Sequence, residues 1–164
     1  MSEAPFRIVP AGEGEALWFA GAHQVVKHPG DWSEGQFSFV EVTVQRGRAT
    51  GLHVDPSDET FYVLEGELLF HVDGVEHAAG PGDTVSLRKG TPHAFVATSE
   101  LAKFVVMNTP GTHDRFFRDG GEPATHQDFE SAPAPDHERM EASCRKHGIE
   151  MLGPPPFSAL GVAG

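Results

Sequence analysis

The stretch Gly51-Leu52-His53-Val54-Asp55-Pro56-Ser57-Asp58-Glu59-Thr60-Phe61-Tyr62-Val63-Leu64-Glu65-Gly66 holds the patterns that decide the fold. Its second half, Thr60–Leu64, is a β-branched and aromatic run closed by a glycine, the composition of a strand. Its first half sets His53 and Asp55 two residues apart, so on extended backbone both side chains leave the same face. Pro56-Ser57-Asp58 is a turn signal that sends the chain back alongside and aims the Glu59 carboxylate at the same spot. Three groups able to ligate a metal are thus expected to converge where two strands meet.

The same texture extends on both sides. From Phe6 to about Asn108, short apolar runs alternate with Gly, Pro, Asp and Ser clusters, an all-β signature. The expected strands are Phe6–Val9, Ala16–Phe19, His23–Lys27, Phe37–Gln45, Thr60–Leu64, Leu68–Val72, Val75–Ala78, Thr84–Leu87, Ala94–Ala97 and Lys103–Met107, enough for a closed barrel or a sandwich. Val72-Asp73-Gly74-Val75 predicts a tight hairpin, because both central positions of such a turn need positive φ. Gly80-Pro81-Gly82-Asp83 launches a strand, and Lys89-Gly90-Thr91-Pro92 turns the chain into His93, which only folding brings to the other ligands.

After Thr109-Pro110 the pattern changes. Thr112 begins a short helix through Phe116 and Phe117 that stops near Gly120-Gly121, and the proline-rich segment from Glu122 to Pro135 reads as an irregular connection. A second helix is expected with Asp136 as its cap, Met140 and Cys144 on one packing face, and Gly148 past its end. The chain therefore divides into a barrel over 1–110 and a helical extension over 111–164 packed on it. No internal repeat, P-loop or Rossmann glycine pattern is present.

Composition limits the function. With 164 residues the chain has room for one core, and 24 acidic against 12 basic residues give a net charge of -12, which repels phosphate backbones and anionic lipid surfaces. Neither nucleic acid nor a membrane is expected as a partner. No run approaches the roughly eighteen apolar residues of a membrane span. Met1-Ser2-Glu3-Ala4 lacks the features of a signal peptide, so a cytoplasmic location is expected. The single cysteine, Cys144, has no partner for an internal disulfide or a zinc knuckle, so a metal must sit on His, Asp or Glu.

Strand alternation points Phe61 and Val63 inward with Glu59 and leaves Tyr62 outside, while Phe95 shares the face of His93. Phe61 and Phe95 are the substrate-binding candidates, as walls that sandwich a planar molecule; the alternative is that they simply fill the barrel. His71, beside the hairpin turn, is expected on the surface, and so are His23, His28, His77, His113, His126, His137 and His147.

The order of ligands and glycines resembles the cupin superfamily, whose first motif reads G-x5-H-x-H-x3,4-E-x6-G and whose second reads G-x5-P-x-G-x2-H-x3-N. His53, Glu59 and Gly66 match the first, with Asp55 in place of its second histidine. Gly82, Gly90 and His93 match the second, with Arg88 and Ala97 in place of its proline and asparagine. Phe61-Tyr62-Val63-Leu64-Glu65-Gly66-Glu67 is similar to the corresponding strand of small one-domain bacterial cupins. The tail, from Phe116 through Gly121-Glu122-Pro123-Ala124 to Gly148-Ile149-Glu150-Met151-Leu152-Gly153, looks like the extension of quercetinase-like members.

The resemblance implies a double-stranded β-helix, or jelly-roll, barrel holding one divalent metal ion (iron, manganese, nickel or zinc) through His53, Glu59 and His93. Asp55 is open: a further ligand, a proton acceptor, or the mark of a site that has lost its metal. The implied activity is that of a metal-dependent dioxygenase acting on a small aromatic or flavonoid-like, quercetin-like compound, with Glu59 and Asp55 as catalytic groups. A cyclase, isomerase or lyase of secondary metabolism and a non-enzymatic small-molecule-binding barrel are the alternatives. Small cupins commonly pair through their sheets, which implies a homodimer.

Overall fold

A computed structural model describes residues 4–157. Residues 1–3 and 158–164 lie outside that description, and with them fall the reading of Met1-Ser2-Glu3 and the outer ends of the expected ranges 1–110 and 111–164. In chain order the elements are β1 (Glu15–Phe19), β2 (Ala22–His28), a 3-10 turn (Gly30–Ser33), β3 (Ser38–Gln45), β4 (Leu52–Val54), β5 (Asp58–Glu65), β6 (Leu68–Val72) and β7 (Val75–Ala79). They continue with β8 (Thr84–Leu87), β9 (His93–Ala97), β10 (Leu101–Thr109), α1 (His113–Gly120), β11 (Glu122–Pro123), α2 (His137–His147) and β12 (Glu150–Gly153).

The strands form two antiparallel sheets, ordered β11-β1-β2-β3-β10-β5-β8 and β12-β4-β9-β6-β7. Alternation within each strand decides which residues face inward. In β3 Val40, Val42 and Val44 are buried, in β5 Phe61 and Val63, and in β10 Phe104 and Val106, and these meet Leu68 and Phe70 of the second sheet in one core. The expected hairpin forms at Asp73 and Gly74, whose φ angles of 52° and 81° are those of a two-residue turn. Gly66 is fixed by space as well as by its φ of 72°, since a Cβ there would lie 2.1 Å from the Leu101 carbonyl oxygen.

Both helices form where the sequence places them. The Asp136 carboxylate accepts from Arg139 N at 3.0 Å, and Gly148 closes α2 in the left-handed conformation. Phe116 and Phe117 of α1 and Ile149 enter the core, and Cys144 packs against it. The Ser143 hydroxyl donates to the Phe116 carbonyl at 2.8 Å, tying α2 to α1. The extension also adds strands, β11 beside β1 and β12 beside β4.

Phe6–Val9, expected as a strand, is not one: Phe6 and Ile8 are exposed and pair with no sheet. Among the described residues no helix is long and apolar enough to cross a membrane.

Candidate metal centre

β4 and β9 lie side by side with His53 opposite His93 in register, so two residues far apart in sequence present imidazoles from adjacent strands, their ring centroids 4.4 Å apart. Asp55 follows the end of β4, and its backbone carbonyl accepts from Gly90 N at 2.9 Å, which holds it against the turn that leads into His93. Glu59 is the inward residue at the start of β5, with Asn108 of β10 opposite in register. The Asn108 amide donates to Glu59 Oε1 (2.9 Å) and to Ser57 Oγ (3.1 Å), which leaves Glu59 Oε2 to the site. All four of Asp55, Glu59, His93 and Asn108 are buried.

Backbone carbonyls set the orientation of the imidazoles. His53 Nδ1 donates to the Gly51 carbonyl (2.7 Å) and His93 Nδ1 to the Thr91 carbonyl (2.9 Å). A carbonyl only accepts, so each Nδ1 carries its proton and each Nε2 turns a lone pair inward, the arrangement that fixes metal-ligating histidines. His53 Nε2 stands 3.3 Å and His93 Nε2 3.4 Å from Asp55 Oδ2, and His93 Nε2 stands 2.9 Å from Glu59 Oε2. Asp55 Oδ1, Asp55 Oδ2 and Glu59 Oε2 are buried with no hydrogen-bond partner among the described residues. Electron-rich atoms facing one another at these distances need a proton or a cation between them.

The electrostatics agree. Burial works against ionisation of Asp55, yet the imidazoles of His53, His113 and His93, which attract the carboxylate when they carry a second proton, outweigh it and hold the carboxyl down to about 2. Burial likewise disfavours protonated His53, and Asp55 beside it, with the Gly51 carbonyl and Glu59, more than compensates, so its pKa is raised. Two carboxylates gathered among imidazoles suit a divalent cation of the iron, manganese, nickel or zinc type, and two histidines with one carboxylate is the facial set of non-haem iron sites. His53, Asp55 and His93 offer atoms close enough to share an ion, and Glu59 reaches the same place through its contact with His93.

The cluster opens on a cavity of about 190 Å³ whose wall is largely aromatic and aliphatic, with Phe61, Phe95, Phe104, Val106, Phe116 and Phe117 among its lining. Residues 40–108, which carry β3 to β10 and every residue of this cluster except His113, match the pattern of the cupin domain. The chain carries a cupin domain.

Over 139 residues this cupin is 31% identical to quercetin 2,3-dioxygenase of Bacillus subtilis, a match covering 81% of the chain. It spans 41% of that relative's length. Among solved structures it resembles a polyketide cyclase of Streptomyces resistomycificus (TM-score 0.56, 20% identity, 63% of this chain and 79% of the other). It also resembles an RmlC-like cupin of Shewanella frigidimarina (TM-score 0.55, 19% identity, 67% and 96%). At these identities the structural likeness speaks for the fold alone.

The cupin barrel brings His53, Asp55, Glu59 and His93 together, with His93 carried to the others by the pairing of β9 with β4. Phe61 and Phe95 both line the cavity, with Phe61 4% and Tyr62 43% exposed, as alternation requires. They do not form two parallel walls. Their rings meet edge to face, with centroids 6.1 Å apart and planes at 64°, inside a group that includes Phe70 and Phe104, so no flat slot stands between them.

Histidines expected at the surface divide. His77, His126 and His137 are exposed, His28, His71 and His147 are half-buried, and His23 and His113 are buried. His113 is the one that matters for the site: its Nε2 lies 3.5 Å from Glu59 Oε1 and 3.7 Å from Asp55 Oδ1. No motif spacing marks it. The available signal was helical: His113, Phe116 and Phe117 stand at i, i+3 and i+4, so the apolar face that docks α1 on the barrel carries the imidazole inward with it.

Proposed function

We propose that this cupin is a metal-dependent dioxygenase acting on a compact aromatic, quercetin-like compound, with the metal held by His53, Asp55, Glu59 and His93. The observation that carries the reading is the set of buried, unpartnered carboxylate oxygens facing carbonyl-anchored imidazoles at the wall of an apolar cavity. The likeness to a quercetin 2,3-dioxygenase supports the choice of reaction. A bound divalent metal supplies Lewis acidity and a template for the reactants.

The chain's own groups do the rest. Asp55 and Glu59 offer carboxylate oxygens to take the proton of a substrate hydroxyl. Phe61 and Phe95 give the ring system an apolar bed and keep water out. A cavity of about 190 Å³ lies below the roughly 300–1,000 Å³ of drug-sized sites, which favours a small ring compound. The extension from residue 111 onward acts as the closure of the barrel, for Phe116, Phe117, Met140, Cys144 and Ile149 all line the cavity. A cytoplasmic home belongs to the same reading, and a homodimer fits the apolar outer face of the β5–β10 pair.

The test is oxygen uptake by protein reconstituted with iron(II), manganese(II), nickel(II) or zinc(II), with quercetin and simpler hydroxylated aromatics as substrates. Oxygen consumed in step with substrate, and abolished in Glu59→Gln, is the expected result. Turnover without oxygen uptake selects the second reading, a redox-silent cyclase, isomerase or lyase, which is favoured by the second carboxylate that Asp55 adds as a proton acceptor. Metal uptake without turnover of any substrate leaves a binding barrel.

A further inference from the structure

We propose that His113, carried in by the first turn of α1, is the third imidazole of the metal centre and takes over the donor role of the histidine that Asp55 replaces. The inference rests on the metal reading above and extends it to a residue outside both sequence motifs and outside residues 40–108 of the family pattern.

Three observations lead to it. The first is where the ring stands: His113 is 7% exposed, and its Nε2 lies within 3.7 Å of one oxygen each of Asp55 and Glu59. Those oxygens, Oδ1 and Oε1, are not the ones that face His53 and His93, so His113 approaches the carboxylate pair from a direction that no other imidazole occupies. The second is that Asp55 leaves it room, since neither Asp55 oxygen has a hydrogen-bond partner among the described residues, whereas Glu59 Oε1 already accepts from Asn108.

The third is that the ring is held. It packs edge to face on Phe116 (5.2 Å) and Phe117 (4.9 Å), both members of the core. α1 itself is fixed through the Ser143 bond to the Phe116 carbonyl and through Asp114, which pairs with Arg118 at 2.7 Å and accepts from Gly30 N. Packing of this kind positions a donor before the ion arrives. Asp55 has a shorter reach than an imidazole and brings charge rather than a second nitrogen, so a site built from both motifs alone would hold two nitrogens. Adding His113 gives three nitrogens and two carboxylates, a set suited to iron, nickel, zinc or copper(II).

The experiment counts nitrogens. The full chain is stripped of metal, reloaded with one equivalent of copper(II) as the probe in a nitrogen-free buffer, and measured by pulsed electron paramagnetic resonance. Wild type is expected to show three coupled imidazoles and His113→Gln two, with zinc(II) affinity in that variant lower by roughly tenfold or more. The wild-type count needs no substitution, so a variant that misfolds does not blunt the test, and thermal melting identifies that case. Two imidazoles in wild type, or an unchanged count in a folded His113→Gln, overturns the assignment and leaves the four-residue centre standing. Failure of wild type to bind copper(II), zinc(II) or iron(II) at all overturns the metal reading and this inference together.

Discussion

His93 touches both carboxylates of the cluster, whereas Asp55 is one of two acids. His93→Ala is therefore expected to lose most of the bound metal and Asp55→Ala less, as read by elemental analysis of the purified proteins. Equal metal content in both variants and wild type would sink the four-residue centre. Asn108 acts one layer out: its amide occupies Glu59 Oε1 and so aims Oε2. Asn108→Ala is expected to weaken zinc(II) binding by roughly 10- to 100-fold in a chelator competition, the usual effect of removing such a support.

Protons compete for the same atoms. His53 has its pKa raised above the ordinary 6.5, because Asp55 more than offsets burial. A raised value means the proton is retained to higher pH, and a protonated imidazole cannot ligate. Metal affinity is thus expected to decline on acidification from above pH 6.5 rather than below it, which calorimetric titration of zinc(II) in steps between about pH 8 and pH 5.5 would reveal. A constant affinity across that interval would argue against His53 as a ligand. At this scale the sequence was readable wherever spacing encoded direction. His53 and Glu59 follow from strand alternation and a turn and His93 from its resemblance to the second motif, while the helical spacing that His113 shares with Phe116 and Phe117 shows that it faces the barrel but not what it meets there.

Among the elements, legibility followed who supplies the ladder. Leu68–Val72 and Thr84–Leu87 stand where apolar runs between turn residues predict them. Leu52–Val54, Glu122–Pro123 and Glu150–Gly153 are too short or too polar to announce themselves, and are strands because β9, β1 and β4 offer them partners. Phe6–Val9 is the converse, strand-like in composition but without a neighbour to pair with. β2 shows a third case. Gln24 falls on its inward row between Ala22 and Val26, 3% exposed, with Oε1 buried against the cavity and without a partner among the described residues. A buried polar atom without a partner costs about 1–3 kcal/mol. Gln24→Leu is accordingly expected to raise the melting temperature of the ligand-free protein by a few degrees, at roughly 2–4 °C per kcal/mol for a chain of this size. A lower melting temperature in calorimetry would mean that the amide has a partner, such as an ordered water, worth keeping.

At the scale of the molecule, the net charge of -12 opposes close approach of two copies, so an interface must lie where charge is sparse and apolar surface concentrated. The outward rows of β5 and β10 meet that condition. Tyr62, Leu64, Leu101 and Met107 stand there between 36% and 49% exposed, next to Val105, and the charged pair among them, Lys103 with Glu41, is neutral as a unit. Alternation already identifies this face in the sequence, since Tyr62 and Leu64 are out of phase with Glu59, Phe61 and Val63; what the sequence could not supply is that β10 brings its own outward apolar residues alongside. Exposed apolar clusters on a sheet are the usual seat of pairing. Light scattering is expected to return twice the 17.7 kDa chain mass at micromolar concentration, and Tyr62→Glu, which adds a like charge on each side of a two-fold contact, to return the single mass with the fold intact. Salt separates the causes: if the apolar face drives pairing against long-range repulsion, raising ionic strength should tighten the wild-type dimer, whereas loosening would indicate that ion pairs hold it and that the β5–β10 face is not the contact.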